Sequence, residues 1–435
     1  MSGPANHPEA STGCPHPTAG PGGQRRAVRP GEVIAGPVVE LREGLWLLRD
    51  HRLAQQLLRA RHQTRQAGFT AEHIPRGRMR QRPILIDDGP GHDAQRRVVA
   101  RFFAPTVVAE RHLALMERSA DQLVERARRT GNLLLDEAAL FYTVEVTAEI
   151  VGLTHQRRGD TDARRRRRTE AMARRLESFF NQPPFDLTRA DLGRTPWQWL
   201  QAAVNGLVPL TRFALCDVAP AVRQRRRGST DDVMGHLVQQ GHSWPTLLVE
   251  AVTYGTAGMV TTREFICMAA WHLLDDPSLR SRYLQAPREE RHAILEELIR
   301  LEPVVGHLYR RATERVQLGD NPDEVEIPAG GLVDIDVRAA NADPAAVGEQ
   351  PLRLCPGRQT ARGVRASGLS FGDGAHRCPG QHLAIWETDV LLTRLLALDA
   401  RLVKPPELSW DDLVAGYQLR RMRLEIGRRG LSEAD

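Results

Sequence analysis

The sequence predicts a mainly α-helical protein with a minor β portion, built as one large domain. Three observations predict it. Residues 246–274, "TLLVEAVTYGTAGMVTTREFICMAAWHLL", are apolar on most faces of a helix, which suits a helix running through the interior of a large domain. From about residue 92 to 304 apolar residues recur at three-and-four spacing; in 112–129 they are Leu113, Leu115, Met116, Leu123 and Val124. After residue 304, short alternating bursts are punctuated by Asn-Pro at 321–322 and Pro-Ala-Gly-Gly at 328–331, which reads as short strands and turns.

In chain order, residues 1–30 are rich in Pro, Gly, Ser and His and are expected to be a disordered tail. The domain is expected to span 31–435, long enough for one large core. The formal charge is +6, and Lys404 is the only lysine. The run "ARRRRRTEAMARR" at 163–175 mixes with Glu170 and Leu176 at helical spacing and has no interleaved aromatics. It reads as a solvated helix face, so no nucleic-acid partner is expected. With no unbroken apolar stretch of about 20 residues and no basic-then-apolar leader, the expected location is the cytoplasm, with no membrane partner. Helix returns at 380–397, where Leu383, Trp386 and Val390 recur at helical spacing.

The five cysteines, Cys14, Cys216, Cys267, Cys355 and Cys378, are scattered and form no CxxC pair. They suggest neither a disulfide scaffold nor a zinc site. One of them stands apart. Cys378 sits in "FGDGAHRCPG" (371–380), just ahead of the 380–397 helix. Pro379 suits a first helical turn. A thiol at a helix N-terminus is favoured as thiolate, and Gly372, Gly374 and Gly380 let the backbone approach something flat and bulky. Such a thiolate is a metal ligand or a nucleophile.

"FGDGAHRCPG" resembles the haem-binding loop of the cytochrome P450 monooxygenases, F-x-x-G-x-(H/R)-x-C-x-G. Other motifs follow the family's order. "EELIR" supplies Glu297 and Arg300, and "CPGR" supplies Arg358. "AANADP" (339–344) resembles the A-N-R-D-P turn, with Ala342 where arginine is usual. "DDGPGHDAQRR" (87–97) carries His92 and Arg96 as H-x-x-x-R, and "LYRRATE" (308–314) carries Arg310. The resemblance covers roughly residues 35–430 and implies the soluble bacterial form of the haem-thiolate fold.

The resemblance implies haem b (iron protoporphyrin IX) with Cys378 as axial thiolate, which favours O–O cleavage. Phe371, Gly372 and Gly380 would lie against the ring. His92, Arg96, Arg310 and His376 would neutralise its propionates. Glu297, Arg300 and Arg358 would form a buried ion-pair network beneath it, serving folding rather than catalysis. The family's oxygen-binding motif, A-G-x-(D/E)-T-T, reads Ala257, Gly258, Met259, Val260, Thr261, Thr262 here. Ala257 and Gly258 would leave a groove for dioxygen, and Thr261 and Thr262 would supply hydroxyls. The usual acid is Val260, which cannot relay a proton. Three readings compete: another group such as Glu264, water or the substrate delivers protons; the enzyme uses peroxide; or the reaction needs no ordinary dioxygen scission. The pocket would be lined by the 63–86 loop, Met259, Val305 to Leu308 and the turn near Tyr417, with Phe179 and Phe180 on a lid.

These residues lead to a haem-thiolate monooxygenase acting with dioxygen on a small, mainly apolar metabolite in bacterial secondary metabolism. No flavin or iron–sulfur unit is fused, so a ferredoxin and ferredoxin reductase are the expected partners. The alternatives are a peroxide-driven or oxidative-coupling haem-thiolate enzyme and a haem sensor or carrier; the oxygen groove and Thr261 argue against the last.

Overall fold

The computed structural model describes residues 24–29, 32, 36, 38–68, 82–155, 159–178, 195–228, 231–320, 324–411 and 416–427. Helices dominate. In chain order they include α1 (His51–Arg59), α2 (Pro90–Ala100), α3 (Leu113–Thr130), α4 (Leu135–Val151), α5 (Asp162–Glu177), α6 (Pro196–Phe213), α7 (Ala219–Arg227), α8 (Trp244–Asp275), α9 (Arg288–Leu301) and α10 (Gln381–Leu396). The expected segments 112–129, 246–274 and 380–397 correspond to α3, α8 and α10. Local chemistry sets their ends. Ser243 caps α8 by accepting from the Thr246 N–H, Thr195 and Gln198 form a reciprocal capping box on α6, and Gly131 ends α3 in the left-handed region.

The largest sheet has five strands: β1 (Val39–Arg42), β2 (Leu45–Leu48), β3 (Thr64–Ala67), β4 (His307–Ala312) and β5 (Leu332–Asp336). They lie in the order β1-β2-β5-β4-β3. β2 and β5 run parallel and the other pairs antiparallel. One core joins α3, α4, α8, α9 and α10; a second packs the sheet against α1. The mainly helical architecture with minor sheets is therefore as expected. Four short strands between Ala400 and Ile426 escaped the sequence reading, as did β1 to β3.

Two expectations need correction. The tail does not extend to residue 30, because Arg25, Arg26 and Ala27 are packed against the fold. Arg25 donates to Leu301 O at 2.8 Å and to Arg338 O at 3.0 Å, and the fully buried Glu302 accepts from the Arg26 and Ala27 N–H groups. An arginine can be buried only where its donors are met, so low apolar content here does not mean disorder. The scattered cysteines are also not all reduced. Cys355 is disulfide-bonded, while Cys216, Cys267 and Cys378 are free.

The arginine run of 163–175 lies on α5, as read. Its cations are partly paired: Arg166 with Glu170 at 2.8 Å, and Arg175 with Asp217 at 2.7 Å.

Candidate functional site

Cys378 lies three residues before α10, in a loop tied down on several sides. Its N–H donates to Phe371 O at 2.8 Å. Asp373 is buried and accepts from Arg59 at 3.0 Å and Arg365 at 3.1 Å. Gly374 has φ +67° and lies against the Leu58 carbonyl, where a Cβ would collide. Upstream, the Leu369 N–H donates to Asn341 Oδ1 at 2.7 Å, and Asn341 Nδ2 donates to Arg300 O at 3.1 Å. Arg300 forks onto Glu297 at 2.6 and 2.8 Å. Glu297 also accepts from Arg358 at 3.2 Å and from the Cys355 N–H at 3.0 Å. The three residues expected as an ion-pair network thus meet, and Asn341 links them to the cysteine loop.

Cys378 is solvent-accessible, yet burial pushes its thiol up. The Gly380 N–H and the charges of Arg96 and Arg377 pull the other way without prevailing. The expectation that Pro379 falls in the first helical turn is corrected by the helix start. α10 begins at Gln381 with Gly380 as its cap, so Pro379 lies outside the helix and one N–H is a weak substitute for a helix end. A metal ion would supply the missing positive charge, because a coordinating thiol gives up its proton.

Near the thiol lies a cluster of two histidines and two arginines. The His92 and His376 rings stack with centroids 4.4 Å apart. His376 Nε2 is 2.9 Å from Asp88 Oδ1. Arg310 on β4 stands opposite Gln66 on β3 and donates to its Oε1. Arg96 on α2 donates to Arg377 O. Burial, then the charges of His376 and Arg96, lowers His92 to about 4, and burial lowers Arg310 to about 10. The buried His92 Nε2 has no hydrogen-bond partner among the described residues. Asp87 and Asp88 both face His376; Asp93, 3.4 Å from His92, is shared with Arg61. Arg96, Arg310 and the open His92 Nε2 are donors that suit a ligand carrying carboxylates. Beside a lone cysteine, an iron porphyrin with two propionates fits.

On α8, Ala257 is exposed and Thr253, Gly258 and Thr261 are half-buried, whereas 262–270 are all buried. Thr253, Ala257 and Thr261 fall at i, i+4 and i+8, one face of the helix. The Thr261 hydroxyl donates to Ala257 O at 2.6 Å, which leaves its lone pairs open to a donor. Thr262 is buried. Gly258 has a different use from the one expected. A Cβ there would lie 2.9 Å from Thr147 Cγ2, so its smallness lets α4 approach α8.

Glu264 is corrected. It accepts from the Leu419 N–H at 2.7 Å, from Arg420 at 2.7 Å and from Arg263 at 3.0 Å. Both oxygens are held, and the residue ties α8 to the C-terminal strands rather than relaying protons. Met259 and Tyr417 are fully buried, and the Tyr417 hydroxyl donates to Glu302 O. They belong to the core, not a pocket wall. Phe179, Phe180 and residues 69–81 of the expected lining lie outside the described residues.

Sequence reasoning missed Asp88, Gln66, Asn341 and Thr147, whose partners are remote in the chain. It also missed Glu250, fully buried on α8, which accepts from the Ile84 N–H at 2.9 Å and Gln95 at 2.8 Å. A glutamate within the apolar first half of the helix, 244–260, was the available signal.

Comparison with known proteins agrees with this geometry. The cytochrome P450 family model matches residues 291–398. The chain is 28% identical to cytochrome P450 107B1 of Saccharopolyspora erythraea over 397 residues, covering 89% of this chain and 84% of the relative. It is 27% identical to the erythromycin C-12 hydroxylase of the same organism, covering 72% of each. The crystal structure of CalO2 superimposes with a TM-score of 0.72 at 20% identity, covering 91% of this chain and 94% of that one; at that identity it supports the fold alone. The matched segment runs from the Glu297 helix through the cysteine loop into α10, so the family match and the geometry rest on the same residues: the chain belongs to the cytochrome P450 family and is a haem-dependent oxidoreductase of monooxygenase type.

Proposed function

We propose that this monooxygenase carries haem b and hydroxylates a small, mainly apolar metabolite of bacterial secondary metabolism. It would take its electrons in the cytoplasm from a separate ferredoxin and ferredoxin reductase. The observation that carries the site assignment is the accessible Cys378 thiol beside the carboxylate-hungry cluster of His92, Arg96, Arg310 and His376. Haem bound there would supply reductive activation of dioxygen. Cys378 would be the axial ligand, with Phe371, Gly372 and Gly380 lying close by. Arg96 and Arg310 would hold the propionates by charge-assisted hydrogen bonds, with His92 and His376 offering ring N–H groups beside them. Ala257 leaves space on α8, and Thr261 offers a hydroxyl that can accept one proton while donating another. A relative named for hydroxylating erythromycin supports a natural-product substrate.

A second reading has its own observation. Val260 is buried and apolar, and Glu264 is fully engaged, so α8 offers no acid beside Thr261. A peroxide-driven reaction, which needs no reductive proton delivery, accommodates that arrangement.

The reduced carbon monoxide complex should show the red-shifted Soret band of thiolate ligation, and Cys378→His should lose it even where haem stays bound. An unchanged band in the variant overturns the site. Titration with apolar natural products should shift the Soret band of the resting protein. Product formed with ferredoxin, reductase and dioxygen but not with peroxide alone favours the first reading; the reverse favours the second.

A further inference from the structure

Large apolar side chains exposed singly are ordinary on a protein surface; a concentration of them is not. Six stand out within 19 residues: Trp197, Leu200, Val204, Leu207 and Val208 on α6 and Leu215 just beyond it, each between 54% and 73% exposed. At 100° per residue Trp197, Val204 and Val208 fall within about 20° of one line, and Leu200 and Leu207 lie about 60–80° to one side of it. α6 buries only Ala202 and Phe213 fully. With α7 it forms a continuous rod, Pro196–Arg227 (32 residues), long and apolar enough by length and composition to cross a bilayer. The rod does not have the surroundings of a spanning helix. Its N-terminal part packs along α5, and its far end carries exposed Arg223, Arg226 and Arg227.

Charge decides what covers this face. No acid occurs between Pro196 and Cys216. The first acid after them, Asp217, is buried and paired with Arg175 at 2.7 Å. Arg212 is exposed beside the apolar line, and α5, packed along α6, exposes Arg164, Arg165, Arg167 and Arg174. Arg165 pairs with the exposed Asp162. A second copy of the chain seated on this face would bring cations against cations. An anionic lipid surface would receive the apolar side chains among its acyl chains and the arginines among its headgroups, the arrangement of an interfacial amphipathic helix.

We propose that α6 docks this protein onto the surface of an anionic bilayer, lying in the interface with Trp197 to Leu215 facing the lipid. The inference is independent of the haem chemistry and of the substrate. It replaces the expectation of no membrane partner with a peripheral one.

The test uses the haem-loaded protein and sucrose-loaded vesicles. Co-sedimentation with vesicles containing phosphatidylglycerol should exceed that with phosphatidylcholine alone by about tenfold at low salt. Leu200→Ser combined with Val204→Ser and Val208→Ser should lower it by about tenfold, with the Soret band unchanged. Arg212→Gln with Arg226→Gln should remove the preference for anionic lipid. Should the triple variant fail to fold, brominated lipids mixed into the phosphatidylglycerol vesicles provide the second measurement. They should quench the part of the tryptophan emission that Trp197→Phe removes. No co-sedimentation, equal binding by the triple variant, no quenching at Trp197, or a wild-type dimer that the triple variant dissociates would each overturn the proposal, the last in favour of a second copy.

Discussion

Glu250 shows how one residue can carry a cost that a sequence pattern hides. It is fully buried on α8, and burial raises its carboxyl to about 7 despite two donated hydrogen bonds. A carboxyl with a folded pKa above its unfolded value binds its proton more tightly in the folded state. Its stabilising effect is therefore complete below about pH 4.5 and lost as the pH rises through about 7. Relative to Glu250→Gln, which keeps an acceptor for the Ile84 N–H, the wild type should lose roughly 3 kcal/mol of unfolding free energy across that range. Denaturant unfolding of both proteins at several pH values checks this; parallel pH curves would remove the buried-acid reading. Glu264, further along the same helix and just as buried, differs because Arg263, Arg420 and the Leu419 N–H surround it.

At the scale of elements, α8 and α4 are the decisive pair. Thr143 of α4 donates to Met259 O at 3.1 Å, and Thr147 faces Gly258. The helices therefore approach through a glycine opposite a β-branched threonine, whose stiff χ1 gives it little room to yield. Gly258→Ala should destabilise the protein by about 1–3 kcal/mol through overpacking. Thr147→Ala in the same chain should restore most of that loss, because it removes the methyl and hydroxyl that the new Cβ meets. A double-mutant cycle by thermal unfolding measures the coupling; additive losses would show that the contact is not the cause. The periodicity of α3, α8 and α10 was readable because each buries a long apolar face. The strands β1 to β3 and those after Ala400 were not, because each has only four or five residues, too few for a period to stand out.

For the whole molecule, the Glu297–Arg300–Arg358 cluster matters because it joins distant parts of the chain. Arg300 also donates to Asn341 O at 2.7 Å and Pro351 O at 3.0 Å, and Asn341 holds the residues before Phe371. Arg300→Ala would leave Glu297 buried with a weakened set of partners, at a cost of about 3–5 kcal/mol. Lower soluble yield and a lower haem-to-protein ratio should accompany it, measured by absorbance against total protein. A soluble, haem-replete variant would show that the cysteine loop does not depend on this cluster.

By itself the sequence determined the helical class, the cysteine loop and the order of the motifs around it, because each depends on residues within about ten positions of one another. Helical spacing is a local property, and so is the glycine pattern that lets residues 371–380 turn tightly. Tertiary structure alone decided what each remaining polar group does. Glu264 and Glu250 are similar residues on one helix, yet Arg420 lies 156 residues from the first and Ile84 166 from the second. The same holds for Gly258, whose size is set by Thr147 on another helix, and for the Cys378 thiol, where burial by the assembled core outweighs the Gly380 N–H. The work of a buried charge depends on the dielectric and the partners that surround it, and those exist only once the chain has closed on itself.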